Sequence, residues 1–220
     1  MNPSIPPLNR TAARPARLAI GSMLLLLLWA CGSTTTPRLP ALEESDVVLA
    51  FGDSLTYGTG ANSDQAYPAQ LQRLIGREVL NHGVPGETSA EGLERLPRVL
   101  DDAQASLVIL CLGGNDMLRK LDRRAMYSNL AAMVELVHAR GASVVLLAVP
   151  EPAVLGLHAE PGYAELAQRY TIPLVEDALA DIIEEAGLRS DRIHPNAAGY
   201  RRLAEAIADT LADSGAVSRR

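Results

Sequence analysis

Apolar residues along this chain fall in short unbroken runs separated by stretches of helical period. Val47 to Phe51, Val79 to Asn81, Leu107 to Leu112, Val144 to Val149 and Ile172 to Val175 read as strands. Most of them carry Val, Ile and Leu on both faces, the pattern of strands covered on both sides. Between the runs, helices are expected over Tyr67 to Ile75, Ser89 to Asp102 (interrupted near Pro97), Arg123 to Ala139, Tyr163 to Tyr170, Asp177 to Ala186 and Ala197 to Asp213. The third shows the reason most plainly: Met126, Leu130, Met133, Val134 and Val137 make one stripe, and Gly141 stops it. Strand and helix alternating in this way predict an α/β fold with a parallel sheet, helices on both faces and right-handed crossovers. In such sheets the carboxyl ends of the strands carry the site.

The start of the chain departs from this pattern. Arg10, Arg14 and Arg17 precede the apolar run Leu18 to Trp29, which is short for a bilayer span, and Ala30 and Cys31 follow it. The segment reads as an export signal over residues 1–30. Its end resembles the lipobox of bacterial lipoproteins, which implies lipidation of Cys31 and a membrane-anchored protein at the periplasmic face, with Gly32 and Ser33 favouring the outer membrane. Residues 31–45, rich in Ser, Thr and Pro, read as a flexible tether, 46–214 as one domain and 215–220 as a disordered tail. Cleavage before Cys31 leaves 17 basic against 26 acidic residues, a formal charge of about −9, which argues against nucleic acid as a partner. Cys111 lies in "SLVILCL" and reads as a buried thiol, so no disulfide framework is expected.

Three stretches at strand ends, and a fourth before the last helix, could carry chemistry. "FGDSLTYG" places Asp53 and Ser54 after the first strand, where the Ser could be a nucleophile or a helix cap. "NHGVPGET" follows the second and offers Gly83 and Gly86, at which backbone can approach a substrate oxygen closely, or an ordinary turn. "LGGNDM" follows the third and presents the Asn115 carboxamide, or a Gly-Asn turn with a cap at Asp116. In "SDRIHPNAAGY", Asp191 and His194 stand three apart before the last helix. That spacing lets a carboxylate hold one imidazole nitrogen and leave the other free to take a proton from a serine hydroxyl. A solvated Asp and a helix-entry loop capped by Asn196 is the plainer alternative.

Taken in order, "GDSLTYG", "NHGVPGET", "GGND" and "DRIHP" resemble the blocks of the SGNH hydrolases, the GDSL lipases and esterases, over nearly everything from Val47 to Leu211. "RLPRVLDDAQASLVILCLGGND" and "IHPNAAGY" look most like the exported arylesterase and acyl-thioesterase/lysophospholipase branch. The resemblance implies a three-layer α/β/α sandwich on a five-stranded, flavodoxin-like parallel sheet. It implies Ser54 as nucleophile, His194 as base, Asp191 as its orienting acid, and the backbone N–H of Ser54 and Gly86 with the Asn115 amide as oxyanion hole. The reaction implied is hydrolysis of carboxylic esters through an acyl-serine: aryl esters, short to medium acyl esters, acyl thioesters or lysophospholipids. Glu87, where the family commonly has Asp, is the one mild departure.

Other classes stay open at this point. An O-acetylesterase acting on carbohydrate or peptidoglycan would use the same residues, and a surface-tethered binding module without turnover would use none of them. No metal and no cofactor is expected, since His82, His138, His158 and His194 show no i, i+4 pair. Val154, Leu155 and Leu157, in the segment after the fourth strand, are candidates to contact an acyl chain or to pack that loop onto the core. The expected partners are a small ester or lipid-like substrate and the membrane, with the protein a monomer.

Overall fold

Four side chains in succession, Val48 to Phe51, are wholly buried in the first strand, β1 (Val47–Gly52), which can therefore lie only in the middle of a sheet. Val48, Leu49 and Phe51 each contribute roughly 1.5–3 kcal/mol of burial, and Ala50 less. The structure, a computed structural model, describes Met1, residues 36–152 and residues 156–219. After β1 come α1 (Ser54–Tyr57), α2 (Tyr67–Ile75), β2 (Glu78–Gly83), α3 (Ser89–Ala103), β3 (Leu107–Cys111) and α4 (Gly114–Leu118). The second half holds α5 (Arg123–Ala139), β4 (Ser143–Leu147), β5 (Pro150–Pro152), β6 (Leu157–Ala159), α6 (Gly162–Tyr170), β7 (Leu174–Val175), α7 (Ala178–Glu184) and α8 (Ala197–Ser214).

The main sheet has five parallel strands in the order β2-β1-β3-β4-β7. Helix α2 packs on α8 and α8 on α7, while α3 packs on α5 and α5 on α6, giving the two outer layers. This is the expected three-layer α/β/α sandwich. β1 has β2 on one side and β3 on the other, so the chain reverses its direction of travel across the sheet at β1. The loops after β1 and β3 diverge there and leave a crevice, the position where open α/β sheets place their ligands.

Three expectations need correction. Helix α3 runs unbroken through Pro97. A proline inside a helix costs about 3 kcal/mol, but Leu96, Val99 and Leu100 are buried beneath it and offset that cost. The stretch after β4 is not all loop: β5 and β6 form a small antiparallel hairpin, with Glu151 opposite His158. The two ends of the domain also fold on each other. Leu39 N–H donates to the Ser214 carbonyl and Leu42 N–H to that of Ala216, with Leu42 and Ala216 buried. The ordered domain thus begins before residue 46 and extends past 214, because Leu42 and Ala216 cover apolar surface that α8 leaves open.

Candidate active site

β1 ends at Gly52, and Asp53 starts the turn into α1. Its Oδ1 accepts the Leu55 N–H at 3.0 Å, so Asp53, not Ser54, caps the helix. The Ser54 hydroxyl is thereby released from capping. It lies 3.0 Å from His194 Nε2, across 140 residues of sequence.

His194 is held by its own loop. Asp191 Oδ1 accepts the N–H groups of Ile193 and His194, each at 2.8 Å, and Oδ2 lies 2.7 Å from His194 Nδ1. Burial alone would raise the Asp191 carboxyl, but these N–H groups and the imidazole outweigh it and hold the group below its ordinary range. A carboxylate can only accept, so Nδ1 carries the ring proton and Nε2 turns its lone pair to the Ser54 hydroxyl. The loop closes on itself through Ser190 N–H to the His194 carbonyl, 2.9 Å, and Asn196 then caps α8 by accepting from Ala198 and Gly199. Asn196 thus caps the helix as the plainer alternative has it, but Asp191 is engaged by the backbone and imidazole of this loop and is not simply solvated.

After β2, Val84-Pro85-Gly86-Glu87 makes a turn closed by Glu87 N–H to the Val84 carbonyl at 3.1 Å. Pro in the second place and Gly86 at φ +82° in the third are what a type II turn requires. Gly83, just before it, serves close approach: a Cβ there would lie 2.0 Å from the Tyr57 backbone nitrogen. Neither the Ser54 nor the Gly86 N–H has an acceptor among the described residues, and both residues line one cleft.

Asn115, in the first turn of α4, borders the same cleft, but its amide is engaged. Nδ2 donates to the Glu87 carbonyl at 3.0 Å and to Asp53 Oδ2 at 3.2 Å. Donation to a third acceptor in the cleft requires the longer of these two bonds to be shared or given up. Asp53 itself is 2% exposed. Burial pushes its carboxyl up to about 7, against the opposing pull of the Leu55 N–H, His194 and the Asn115 amide.

Two buried carboxylates fix the floor of the site. Asp116 is not a cap; from inside α4 it accepts the Ser89 hydroxyl at 2.6 Å and the Ser89 N–H at 2.8 Å, tying α4 to the start of α3. Glu87 pairs with Arg95 through two bonds of 2.7 Å, and the Arg95 guanidinium also reaches the His82 carbonyl and lies 4.1 Å over the Phe51 ring. The longer side chain of Glu87 thus finds a partner across the turn. Sequence reasoning missed Arg95, because no helical or strand spacing pairs residues eight apart across a helix start. His82 is accounted for by its carbonyl contact and does not line the cleft.

The cleft holds about 1500 Å³. Ser54, His194, Asp191, Gly86 and Asn115 all border it, and its apolar wall includes Leu55, Met117, Leu118, Val149, Leu157 and Ile193. Leu118 and Ile193 remain 61% and 42% exposed. They also escaped the sequence reading, since Leu118 ends a helix of only five residues and Ile193 stands alone in a polar loop, and neither makes a period. Leu157, a candidate for acyl contact or for packing the loop, borders the cleft. Val154, Leu155 and Cys31, with residues 2–30 of the proposed signal segment, lie outside the described residues.

Residues 50–202 match the model of the GDSL-like Lipase/Acylhydrolase family. The chain belongs to this family. Esterase TesA of Pseudomonas aeruginosa is 34% identical over 203 residues, covering 86% of this chain and 98% of that protein. Arylesterase of Vibrio mimicus is 30% identical, covering 86% and 96%. Thioesterase 1/protease 1/lysophospholipase L1 of Escherichia coli K12 is 30% identical, covering 76% and 84%. A crystal structure of TesA superposes with a TM-score of 0.68 at 33% identity, covering 76% of this chain and 98% of that one. The protein is an SGNH-type hydrolase, and its reaction class is ester hydrolysis.

Proposed function

We infer that the protein is a serine esterase in which Ser54 is the nucleophile, His194 the general base and then acid, and Asp191 the group that orients the imidazole and stabilises the imidazolium that forms. The observation that carries this reading is the unbroken line of hydrogen bonds from Asp191 through His194 to Ser54, 2.7 and 3.0 Å long. As Ser54 Oγ adds to an ester carbonyl, His194 Nε2 takes the hydroxyl proton. The charge that develops on the carbonyl oxygen is met by the N–H groups of Ser54 and Gly86 and by the Asn115 amide. The imidazolium then protonates the departing alkoxide, and water, deprotonated by the same nitrogen, releases the acid from the acyl-serine.

The substrate class in this reading is aryl esters and esters of short to medium acyl chains, with acyl thioesters and lysophospholipids following the kinship with the named relatives. The apolar wall of the cleft supports an acyl chain over a sugar. Export through residues 1–30, lipidation at Cys31 and an outer-membrane destination complete the proposal, supported by the Arg-rich start, the apolar run and the Ala30-Cys31 junction. A fluorophosphonate probe should label the wild-type protein and fail to label Ser54→Ala; label retained in the variant would remove Ser54 from this role. In cells fed labelled palmitate, Cys31→Ala should lose the lipid that the wild type carries, and an unlabelled wild type would refute the anchor.

A further inference from the structure

The hairpin of β5 and β6 stands beside the reaction centre, and the way it is held is unusual for a wall that contributes apolar lining. Each strand is three residues long, and so short a hairpin has little stability of its own in water. Two charged side chains from opposite helical layers grip it. On one side Arg123, the first residue of α5, donates from Nη1 to Glu160 Oε1 at 2.9 Å and from Nη2 to Glu151. Glu160, just past β6, spends its other oxygen on the Gly162 N–H at 2.9 Å, so the same carboxylate also anchors the start of α6. On the other side Glu184, at the end of α7, accepts the Leu157 N–H at 2.5 Å. Arg123, Glu151, Leu157 and Glu184 all border the cleft.

Nothing in the chemistry of ester cleavage calls on Arg123, whose guanidinium is committed to two carboxylates. Its geometry serves position. The planar fork joins one strand of the hairpin to the residue after the other, which a single point charge does poorly. We propose that Arg123 is a positioning residue for acyl-chain selectivity: by clamping Glu151 and Glu160 it sets the hairpin, and Leu157 with it, against the acyl side of the cleft. The proposal rests on the serine-esterase reading and adds to it a determinant outside the four family blocks. It also names the substrate feature sensed, an aliphatic acyl chain long enough to reach from Ser54 to the hairpin.

The test compares p-nitrophenyl acetate with p-nitrophenyl octanoate on the full chain, for the wild type, Arg123→Gln, Arg123→Lys and Glu151→Gln. In this proposal the hairpin is sensed by the distal part of a long acyl chain and not by an acetyl group, so Arg123→Gln should keep kcat on the acetate within about twofold. On the octanoate its kcat/KM should fall about 5- to 15-fold through KM, the loss expected when one or two methylenes give up their apolar contact at about fourfold each. Arg123→Lys should recover part of the ratio, and Glu151→Gln, which removes one arm of the clamp, should show a smaller shift in the same direction. An octanoate-to-acetate ratio unchanged in both Arg123→Gln and Glu151→Gln overturns the clamp while leaving the esterase reading intact. Equal losses on the two esters, in kcat, overturn it as well, since they mark a general structural effect. A wild type that hydrolyses neither ester overturns the esterase reading and the clamp together.

Discussion

The floor of the site and its hairpin wall are both secured by carboxylates, yet in opposite surroundings. Under the floor, Asp53, Glu87 and Asp116 are each no more than 5% exposed and are satisfied by backbone N–H groups, a hydroxyl, an amide or a bidentate guanidinium. At the wall, Arg123 is 45% and Glu151 27% exposed and their pairing is screened by water, while only the other arm, Glu160, is close to buried at 11%. The contrast separates two tasks. Groups that stabilise charge must not move as the reaction proceeds, so they are embedded where a lost bond costs the full desolvation of its partner. A wall that accommodates chains of different length tolerates weaker, exchangeable ties.

The sharpest way to break this comparison is at the floor. Asn115→Ala removes one proposed oxyanion donor and should slow kcat on a soluble aryl ester by roughly 10²- to 10³-fold with little change in KM. Equal turnover in the variant would take the amide out of the site and would fit a side chain whose two protons stay on Glu87 and Asp53. The wall should answer more softly. Leu157→Asp should reduce kcat/KM on octanoate by roughly tenfold more than on acetate, the scale of a few methylene contacts. A uniform loss across chain lengths would mean that Leu157 only packs the hairpin.

The smallest effect concerns dryness. Asp53 lies up at about 7 in the folded domain against 3.8 for an ordinary Asp, so between these pH values the folded state holds a proton that the unfolded chain has released. Its contribution favours folding in acid and fades as the pH rises from about 4 toward 7. A carboxyl ¹³C titration should place its midpoint near neutrality and that of Asp191 below the normal carboxylate range. An Asp53 midpoint under pH 5 would show that water reaches the floor and that the contrast with the wall is overstated.

Much of the site was legible in the chain because its residues sit at strand ends, where a run of Val, Ile and Leu stops and a turn begins. Ser54, Asn115 and the glycines Gly83 and Gly86 could be marked as candidates this way and the Asp191–His194 pair by its spacing before the last helix, while the resemblance to the family blocks chose Gly86. The division of labour between Asp53 and Ser54 could not, since both residue types cap helices and only the backbone geometry at Asp53 decides which does. Arg95 under Phe51 and Arg123 on the hairpin were equally silent. Their partners lie 8, 28 and 37 residues away, and no local period records such pairings.

What the amino-acid order determined by itself was therefore the layered fold and a short set of candidate groups for the proposed site, because strand and helix periods, turn residues and family blocks are written over a few positions. Tertiary structure alone decided the 3.0 Å meeting of Ser54 with His194 and the unbroken run of α3 through Pro97. It also decided the hairpin and the clamp that holds it. These depend on burial and on charge placed across space, which act between residues wherever the folded chain brings them together.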